Sequence, residues 1–288
     1  MTEYYKAYNP PRSADWNFGG SKWKLSRSKI DLFTECPLCF YLDNRLGVAR
    51  PRGPSFTLNI AVDALLKKEF DLHRAKQTTH PLLKKYGVNA LPLEHADIDA
   101  WRENFVGIQY RHPETGFLIT GAIDDVWVNP AGELIIVDYK ATSKDGDINS
   151  LSDSGWDEQY KRQMEIYQWI FKQKGFKVSK TGYFVYVNGK KDREAFDGKL
   201  EFDVTLIPHI GKDSWVEGVL MKIKQCLESD ELPKPADSCD HCRYRKVSRD
   251  IQNQFLKNIG KSSSVDKKPP TKKITKKKSD DNATNSLF

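Results

Sequence analysis

The stretch "TGAIDDVWVNPAGELIIVDYKATS", residues 120–143, decides the fold because it reads as two apolar strands joined by a tight turn. The connecting NPAG, residues 129–132, offers a proline for the first turn position and a glycine for a left-handed one. This pattern predicts a three-residue hairpin loop with a glycine bulge. Such a loop sets Val126 opposite Ile136 in an antiparallel, apolar row.

Charged side chains continue the same row. The predicted register places Asp124 opposite Asp138, and the alternation of side chains puts Lys140 on that face. Opposed carboxylates have Cβ atoms only ~5 Å apart and repel each other, unless one is protonated or a cation lies between them. An exposed ion pair at a fraying strand end explains Lys140 but not the second carboxylate. The hairpin therefore predicts a divalent metal site, in which a register slip would substitute Asp125 for Asp124.

The order of the remaining patterns predicts the architecture. Two helical patterns precede the hairpin, and a helix, two strands and a further helix follow it. This order favours an α/β sandwich with a mixed sheet. Apolar runs are broken by charge before they reach membrane-spanning length, and the N-terminus lacks the layout of a secretion signal. We therefore expect a cytoplasmic protein with no membrane partner.

The net charge of +7 is concentrated at the C-terminus, where residues 257–288 hold nine lysines and three aspartates. The composition is rich in Lys, Ser and Pro and predicts disorder. Such a tail either keeps the protein in solution or is attracted weakly, and in a salt-sensitive way, to phosphate backbones.

The cysteines form a second candidate site. Cys36 with Cys39 and Cys239 with Cys242 make two CxxC pairs at opposite ends of the folded part. Paired spacing indicates a metal site in a reducing compartment, and four thiolates accept either Zn²⁺ or a [4Fe–4S] cluster. Cys226 lies in an amphipathic helical pattern and is expected to be a small core residue.

The hairpin motif resembles that of a known family. Gly121-x-x-Asp124 followed, after an apolar strand, by Asp138-x-Lys140 is similar to the signature of the PD-(D/E)xK nuclease superfamily. The resemblance implies a restriction-endonuclease-like core, with a central mixed β-sheet flanked by helices. We expect that nuclease domain over residues 21–250, between a flexible lead-in (1–20) and a disordered Lys-rich tail (251–288).

Two further motifs resemble the RecB-like branch, which includes CRISPR-associated exonucleases and helicase-associated nuclease domains. Gln163 and Tyr167 form QxxxY on one helical face, and "LSRSKIDLFTECPLCFYL" is similar to the branch's leading helix. The branch often carries an iron–sulfur cluster, which the resemblance implies for Cys36, Cys39, Cys239 and Cys242, with Zn²⁺ as the alternative. The common arrangement is one cysteine and then three, whereas this chain has two and two.

The resemblance also implies the site residues. Asp124, Asp138 and the backbone carbonyl of Tyr139 would hold Mg²⁺ or Mn²⁺, and Lys140 would orient the attacking water. The branch's usual His or Glu on the helix before the hairpin corresponds here to Asp63, with Glu69 and His73 as fallback candidates. Gln163 and Tyr167 would brace the site or contact the DNA backbone; Trp127, Trp156 and Trp169 are candidates for base stacking or core packing.

These features together predict a metal-dependent DNA nuclease that acts as an exonuclease or on single strands or flaps. Its expected substrate is single-stranded DNA or duplex ends, and its expected location is with the nucleoid. Two alternatives remain open: a non-catalytic nucleic-acid-binding protein with a degenerate nuclease fold, or a nuclease subunit guided by a helicase or another DNA-processing partner.

Overall fold

The computed structural model describes residues 11–51, 53, 56–146 and 148–262. The chain divides into two compact units, Met1–Cys242 and Arg243–Phe288. The first unit begins with a 3₁₀ turn, Ala14–Trp16, and contains all the predicted site residues. Its further elements are β1 (Leu25–Ser26), α1 (Arg27–Glu35), α2 (Pro37–Asn44), α3 (Thr57–Lys76), α4 (Pro81–Lys85), β2 (Leu91–Pro92), α5 (Ile98–Arg102), β3 (Ile108–Arg111), β4 (Leu118–Gly121), β5 (Asp125–Val128), β6 (Leu134–Thr142), α6 (Gly155–Gln173), β7 (Thr181–Gly189), β8 (Phe202–Ile210) and α7 (Trp215–Glu228).

The strands form a five-stranded and a three-stranded mixed sheet, and the larger one is the central mixed sheet that the resemblance implies. One has the order β1-β4-β3, with β1 parallel to β4. The other has the order β2-β5-β6-β7-β8, in which only β6 and β7 are parallel. The chain passes from the first sheet to the second at residues 122–124, between β4 and β5. The α/β class is confirmed, and the predicted metal site lies where the two sheets meet.

The hairpin of β5 and β6 has the predicted register. Val126 pairs with Ile136 and Val128 with Leu134. The amide of Gly132 donates to the carbonyl of Asn129, and Gly132 has a φ of 72°, the left-handed conformation that a glycine bulge requires. The local turn chemistry therefore fixes which residues of β6 face each side of the sheet.

Strand β6 supplies both hydrophobic cores because its side chains alternate. Leu134 and Ile136 belong to a core with residues of α6 and α7. Ile135, Val137 and Tyr139 belong to a second core with Phe70 of α3. Burial on both faces explains the nearly continuous apolar run of this strand. Asp138 and Lys140 consequently lie on the face of Ile136, toward α6.

Helix α3 has a narrower buried face than its sequence pattern predicts. Val62, Leu66 and Phe70, spaced by four residues, pack against the second core. Leu58 and Leu65 were predicted on the same side, but both are exposed. That part of the prediction is wrong, because an apolar periodicity does not show where the buried face ends.

The C-terminal unit was predicted to be disordered from residue 251. Among the described residues, helix α8 runs from Asp240 to Ser262 and so extends into the first part of that range. Apolar residues recur along it at helical spacing, including Ile251, Phe255 and Ile259. The Lys-rich remainder, residues 263–288, and the first half of the predicted lead-in, residues 1–10, lie outside the described residues.

Candidate active site and thiol cluster

Asp124 lies just before β5 rather than within it. The ladder between β5 and β6 starts at Asp125 and Val137, so the predicted strand pairing of Asp124 with Asp138 does not form. Instead, Asp124 Oδ2 accepts a hydrogen bond from the Tyr139 amide at 2.8 Å. This bond ties the carboxylate of Asp124 to the β6 backbone beside Asp138, so the two acids meet without being cross-strand partners.

Asp138 is completely buried on the α6 side of β6. Its Oδ1 accepts a hydrogen bond from Gln163 Nε2 at 2.7 Å. Its Oδ2 is paired with the Lys140 ammonium. Burial raises the pKa of Asp138 to about 7, with Lys140 opposing the shift and Asp124 adding to it.

Helix α3 contributes a third carboxylate to this group. Lys67 Nζ lies 2.9 Å from Asp63 Oδ2 and 3.6 Å from Asp124 Oδ1. Burial, followed by the negative charge of Asp124, raises the pKa of Asp63. Asp63 therefore lies near Asp124, and its role as a metal ligand stays a prediction; Lys67, which connects the two acids, was missed by sequence reasoning. Its spacing of four residues from Asp63 is a signal that could have identified the pair.

Glu69 and His73 follow Asp63 on α3 but are not brought to the cluster. Glu69 Oε1 lies 2.9 Å from His80 Nε2, and His73 Nδ1 lies 3.0 Å from Thr78 Oγ1. At 1.5 Å of helix rise per residue, they begin roughly 9 and 15 Å beyond Asp63. The structure thus leaves Asp63 as the acid that α3 supplies.

Asp125 has a separate, structural set of partners. It is completely buried, in contact with Arg74 and 2.8 Å from Arg102. The hydroxyl of Tyr139 donates to its other oxygen at 2.8 Å. Two guanidinium partners therefore compensate the buried charge of Asp125. The register slip that would put Asp125 in the place of Asp124 does not occur.

Helix α6 closes the other side of the site through the predicted QxxxY pair. Gln163 Nε2 lies within 3.2 Å of the Tyr167 hydroxyl, which donates to the carbonyl of Ala122 at 2.5 Å. The ring of Tyr167 also occupies the space where a side chain at Gly121 would begin, 2.5 Å from an ideal Cβ. This close approach gives a packing reason for the glycine three residues before Asp124.

Two cationic side chains face the carboxylates. Burial of Lys140 opposes its positive charge, but Asp138 and then Asp124 raise its pKa. The Nζ of Lys140 also lies 4.6 Å from the centre of the Tyr160 ring. Arg27, the first residue of α1, was not predicted. Burial opposes its charge as well, but a hydrogen bond to Tyr167 and the charge of Asp138 contribute to raising its pKa.

The tryptophans considered for base stacking divide into two groups. Trp127 and Trp169 are buried in the two cores, so they cannot stack on a base. Trp156, at the start of α6, is 68% exposed and stays a candidate.

The donor set suits a hard divalent cation. Asp124 and Asp138 offer carboxylate oxygens, the ligands that Mg²⁺ and Mn²⁺ prefer, and Asp63 lies on the other side of Lys67 from Asp124. The repulsion between Asp124 and Asp138, which raises the pKa of Asp138, is relieved by a bound cation. The residues therefore fit the metal that the hairpin motif implies.

The four predicted cysteines converge in the first unit. Cys36 lies between α1 and α2, Cys39 within α2, Cys239 directly before α8 and Cys242 in the first turn of α8. All four are buried, and their four Sγ atoms lie within 4.8 Å of one another. Three of the pairs are separated by 3.5 to 3.7 Å. Cys226 packs against the first core instead, as predicted.

The sulfurs are close enough together to hold a metal. Four sulfurs about 2.3 Å from a tetrahedral ion lie about 4 Å apart. In a [4Fe–4S] cluster each thiolate binds a different iron, which requires a wider separation. The four thiolates can therefore hold a metal, and their separations are closer to those around a single ion than to those around a [4Fe–4S] cluster.

Comparison with known proteins identifies the family. The family model described as "PD-(D/E)XK nuclease superfamily" matches residues 58–247. The curated proteins give no match. The solved structure of SSO0001 aligns at 16% identity and a TM-score of 0.34, covering 73% of this chain and 79% of that one, which defines neither fold nor function. No helix in the described part is both long and apolar enough to cross a bilayer. The family match spans more than half of the chain and includes all three clustered carboxylates, so the chain belongs to the PD-(D/E)XK nuclease superfamily.

Proposed function

We propose that the protein is a Mg²⁺- or Mn²⁺-dependent DNA nuclease of the RecB-like branch, acting on free ends or single strands. The observation that carries the proposal is the buried carboxylate of Asp138. One oxygen is fixed by Gln163, and the other is paired with Lys140 where the charge of Asp124 also acts on it. Keeping a second carboxylate beside a completely buried one is costly, and a metal site is a physical reason for keeping both.

Asp63, Asp124 and Asp138 would hold the ion, with the carbonyl of Tyr139 as a further ligand. When bound, a divalent ion lowers the pKa of coordinated water and offsets charge on phosphate oxygens. Lys140 remains an ammonium because both acids raise its pKa. It supplies a positive charge and a hydrogen-bond donor where negative charge develops on the phosphate.

Gln163 and Tyr167 act as positioning residues in this proposal. Gln163 fixes the orientation of the Asp138 carboxylate, and Tyr167 attaches that arrangement to the backbone at Ala122. Arg27, whose charge interacts with Tyr167 and Asp138, adds a guanidinium suited to a phosphate oxygen.

The intact set of two aspartates and a lysine favours catalysis over a non-catalytic binding role. Two features support the RecB-like branch. Gln163 of the QxxxY motif is hydrogen-bonded to Asp138, and cysteines from both ends of the domain converge. The paired CxxC spacing of the cysteines supports a reducing compartment, and cytoplasmic localisation with DNA is part of the proposal. The proposal includes a helicase or other DNA-processing protein as a partner that would guide the nuclease to its substrate.

We further propose that Cys36, Cys39, Cys239 and Cys242 hold a structural metal joining the two ends of the first unit. The resemblance favours [4Fe–4S], whereas the sulfur separations favour one tetrahedral ion such as Zn²⁺.

The function is tested by metal-dependent cleavage of labelled DNA. The purified protein is incubated with linear duplex, covalently closed circular DNA and single strands, with Mg²⁺, with Mn²⁺ and with excess EDTA. We expect cleavage of linear or single-stranded substrates in both metals and none in EDTA. Binding without cleavage in either metal would instead support the non-catalytic alternative.

A further inference from the structure

A basic groove of about 950 Å³ lies beside the candidate active site. Its walls come from the segment before β1, the start of α1, the loop before β3 and the end of β4. No carboxylate lines it among the described residues. Five cationic side chains do, and we call the feature the basic groove: Arg12, Lys22, Lys24, Arg27 and Lys29.

Three of these cations have no carboxylate partner among the described residues. Lys24 Nζ donates to the carbonyl of Phe105 at 3.3 Å, Lys29 Nζ donates to the carbonyl of Lys24 at 2.9 Å, and Lys22 lies over the Trp16 ring. Arg12, by contrast, is paired with Asp43 at 2.6 Å. Burial, and then the charge of Arg12, lowers the pKa of Lys29 to about 8. Positive charge is thus concentrated in the groove and suits an anionic ligand.

Phe105 stands at the mouth of the groove in an unusual conformation. Its side chain is 89% exposed, and its φ of 72° is left-handed, a strained conformation for an aromatic residue. The next turn is held tightly, because a Cβ at Gly107 would lie 2.4 Å from the carbonyl oxygen of Gly121. The backbone therefore holds an apolar ring in solvent, where it gains nothing from packing.

The groove shares wall residues with the candidate active site. Tyr167, Gly121 and Ala122 line its inner end together with Arg27. Tyr167 is also hydrogen-bonded to Gln163, the partner of Asp138. A chain of phosphates lying along the groove would therefore arrive at the residues proposed to cleave it.

We propose that the basic groove binds single-stranded DNA, with Phe105 stacking on an unpaired base and Lys22, Lys24 and Lys29 contacting phosphates. The inference rests on the proposed function and narrows it to a substrate class. An exposed ring beside a row of cations is the arrangement that binds single strands, whose base faces are accessible. The bases of a duplex interior are already stacked on each other, so Phe105 would gain nothing there.

The test measures binding without cleavage. Fluorescence anisotropy of a labelled 12-nucleotide oligothymidine, in EDTA, gives Kd for the wild type and for Phe105→Ala. Loss of one stacked base weakens binding by about fivefold or more, and Phe105→Trp should restore it. Phe196, 72% exposed on another loop and with no part in the groove, provides the control. Phe196→Ala should bind as the wild type does.

The phosphate contacts are tested by salt dependence. Three phosphate contacts contribute a slope of about −2 in log K against log salt for a single strand. Lys22, Lys24 and Lys29 replaced together by alanine should remove that contribution. Lys174, Lys180 and Lys199, all exposed, make a control triple variant with the same change in net charge. If both triple variants lose slope equally, the groove is not the binding site.

The two proposals fail separately. Wild-type affinity in Phe105→Ala, or equal weakening in Phe196→Ala, overturns the groove and leaves metal-dependent cleavage untouched. Tight single-strand binding without cleavage in Mg²⁺ or Mn²⁺ overturns the nuclease and leaves the groove. If the wild-type protein binds single-stranded RNA with a lower Kd than oligothymidine, the assignment to DNA is overturned.

Discussion

Replacement of Asp138 by alanine is expected to lower the rate of Mg²⁺-dependent DNA cleavage by at least about 10³-fold, since loss of the metal's charge stabilisation costs several kcal/mol. Asp138 is the completely buried member of the carboxylate group, with one oxygen bound by Gln163 and the other paired with Lys140. Lys140→Ala should cost about 10²–10³-fold, the range for loss of one positioned donor in a preorganised site. Initial rates on an end-labelled single strand at saturating metal measure both effects.

A buried carboxylate outside the site provides the control. Glu165 lies on α6, two residues from Gln163, and contacts His209 at 3.0 Å and Trp215 at 2.7 Å. Glu165→Gln should lower thermal stability and leave the rate per folded molecule close to that of the wild type. Equal rate losses in Asp138→Ala and Glu165→Gln would show that the first variant acts through stability, and the proposed site would be lost.

Replacement of Cys39 by alanine is expected to destabilise the first unit by up to about 5 kcal/mol, the chain-entropy value for a closed loop of about 200 residues. Cys39 and Cys239 lie 200 residues apart in sequence, with their sulfurs at 3.6 Å. A metal on the four thiolates closes this loop, and structural metal binding contributes directly to folding. Thermal and denaturant unfolding of the metal-loaded protein measure the change.

Cys226 is the matched control because it is a half-buried cysteine outside the cluster. Cys226→Ala should cost only about 1 kcal/mol, an ordinary value for a small core change. Similar losses in Cys39→Ala and Cys226→Ala would contradict the metal clip. Metal analysis after anaerobic purification gives its content: one zinc per chain agrees with the sulfur spacing, whereas about four irons with a brown colour agrees with the family resemblance.

The hairpin could be predicted closely from sequence because turn chemistry and alternation are local. The NPAG loop fixed the pairing of Val126 with Ile136, and that register put Asp138 and Lys140 on one face. The placement of Gln163 and Tyr167 followed from helical spacing. Each of these predictions depends on residues close together in the chain, for which local geometry leaves few alternatives.

Features that depend on distant segments were not predicted, or were predicted with the wrong detail. Asp124 leaves the strand ladder because the chain crosses between two sheets at that point, which no local pattern reveals. Lys67 and Arg27 join the site through packing of α3 and α1. The sequence around Phe105 has no clear periodicity, so it predicts no role for this residue. The left-handed backbone and the exposure of Phe105 depend on the three-dimensional structure.

Titration of the protein with Mn²⁺ in the absence of DNA tests the central claim most directly. Isothermal titration calorimetry compares the wild type with Asp138→Asn and Lys140→Ala, all with the cysteine site loaded. We expect a Mn²⁺ site in the wild type, its retention in Lys140→Ala, and its loss or strong weakening in Asp138→Asn. Equal Mn²⁺ binding by the wild type and Asp138→Asn would contradict the claim that these carboxylates are arranged to hold a divalent cation.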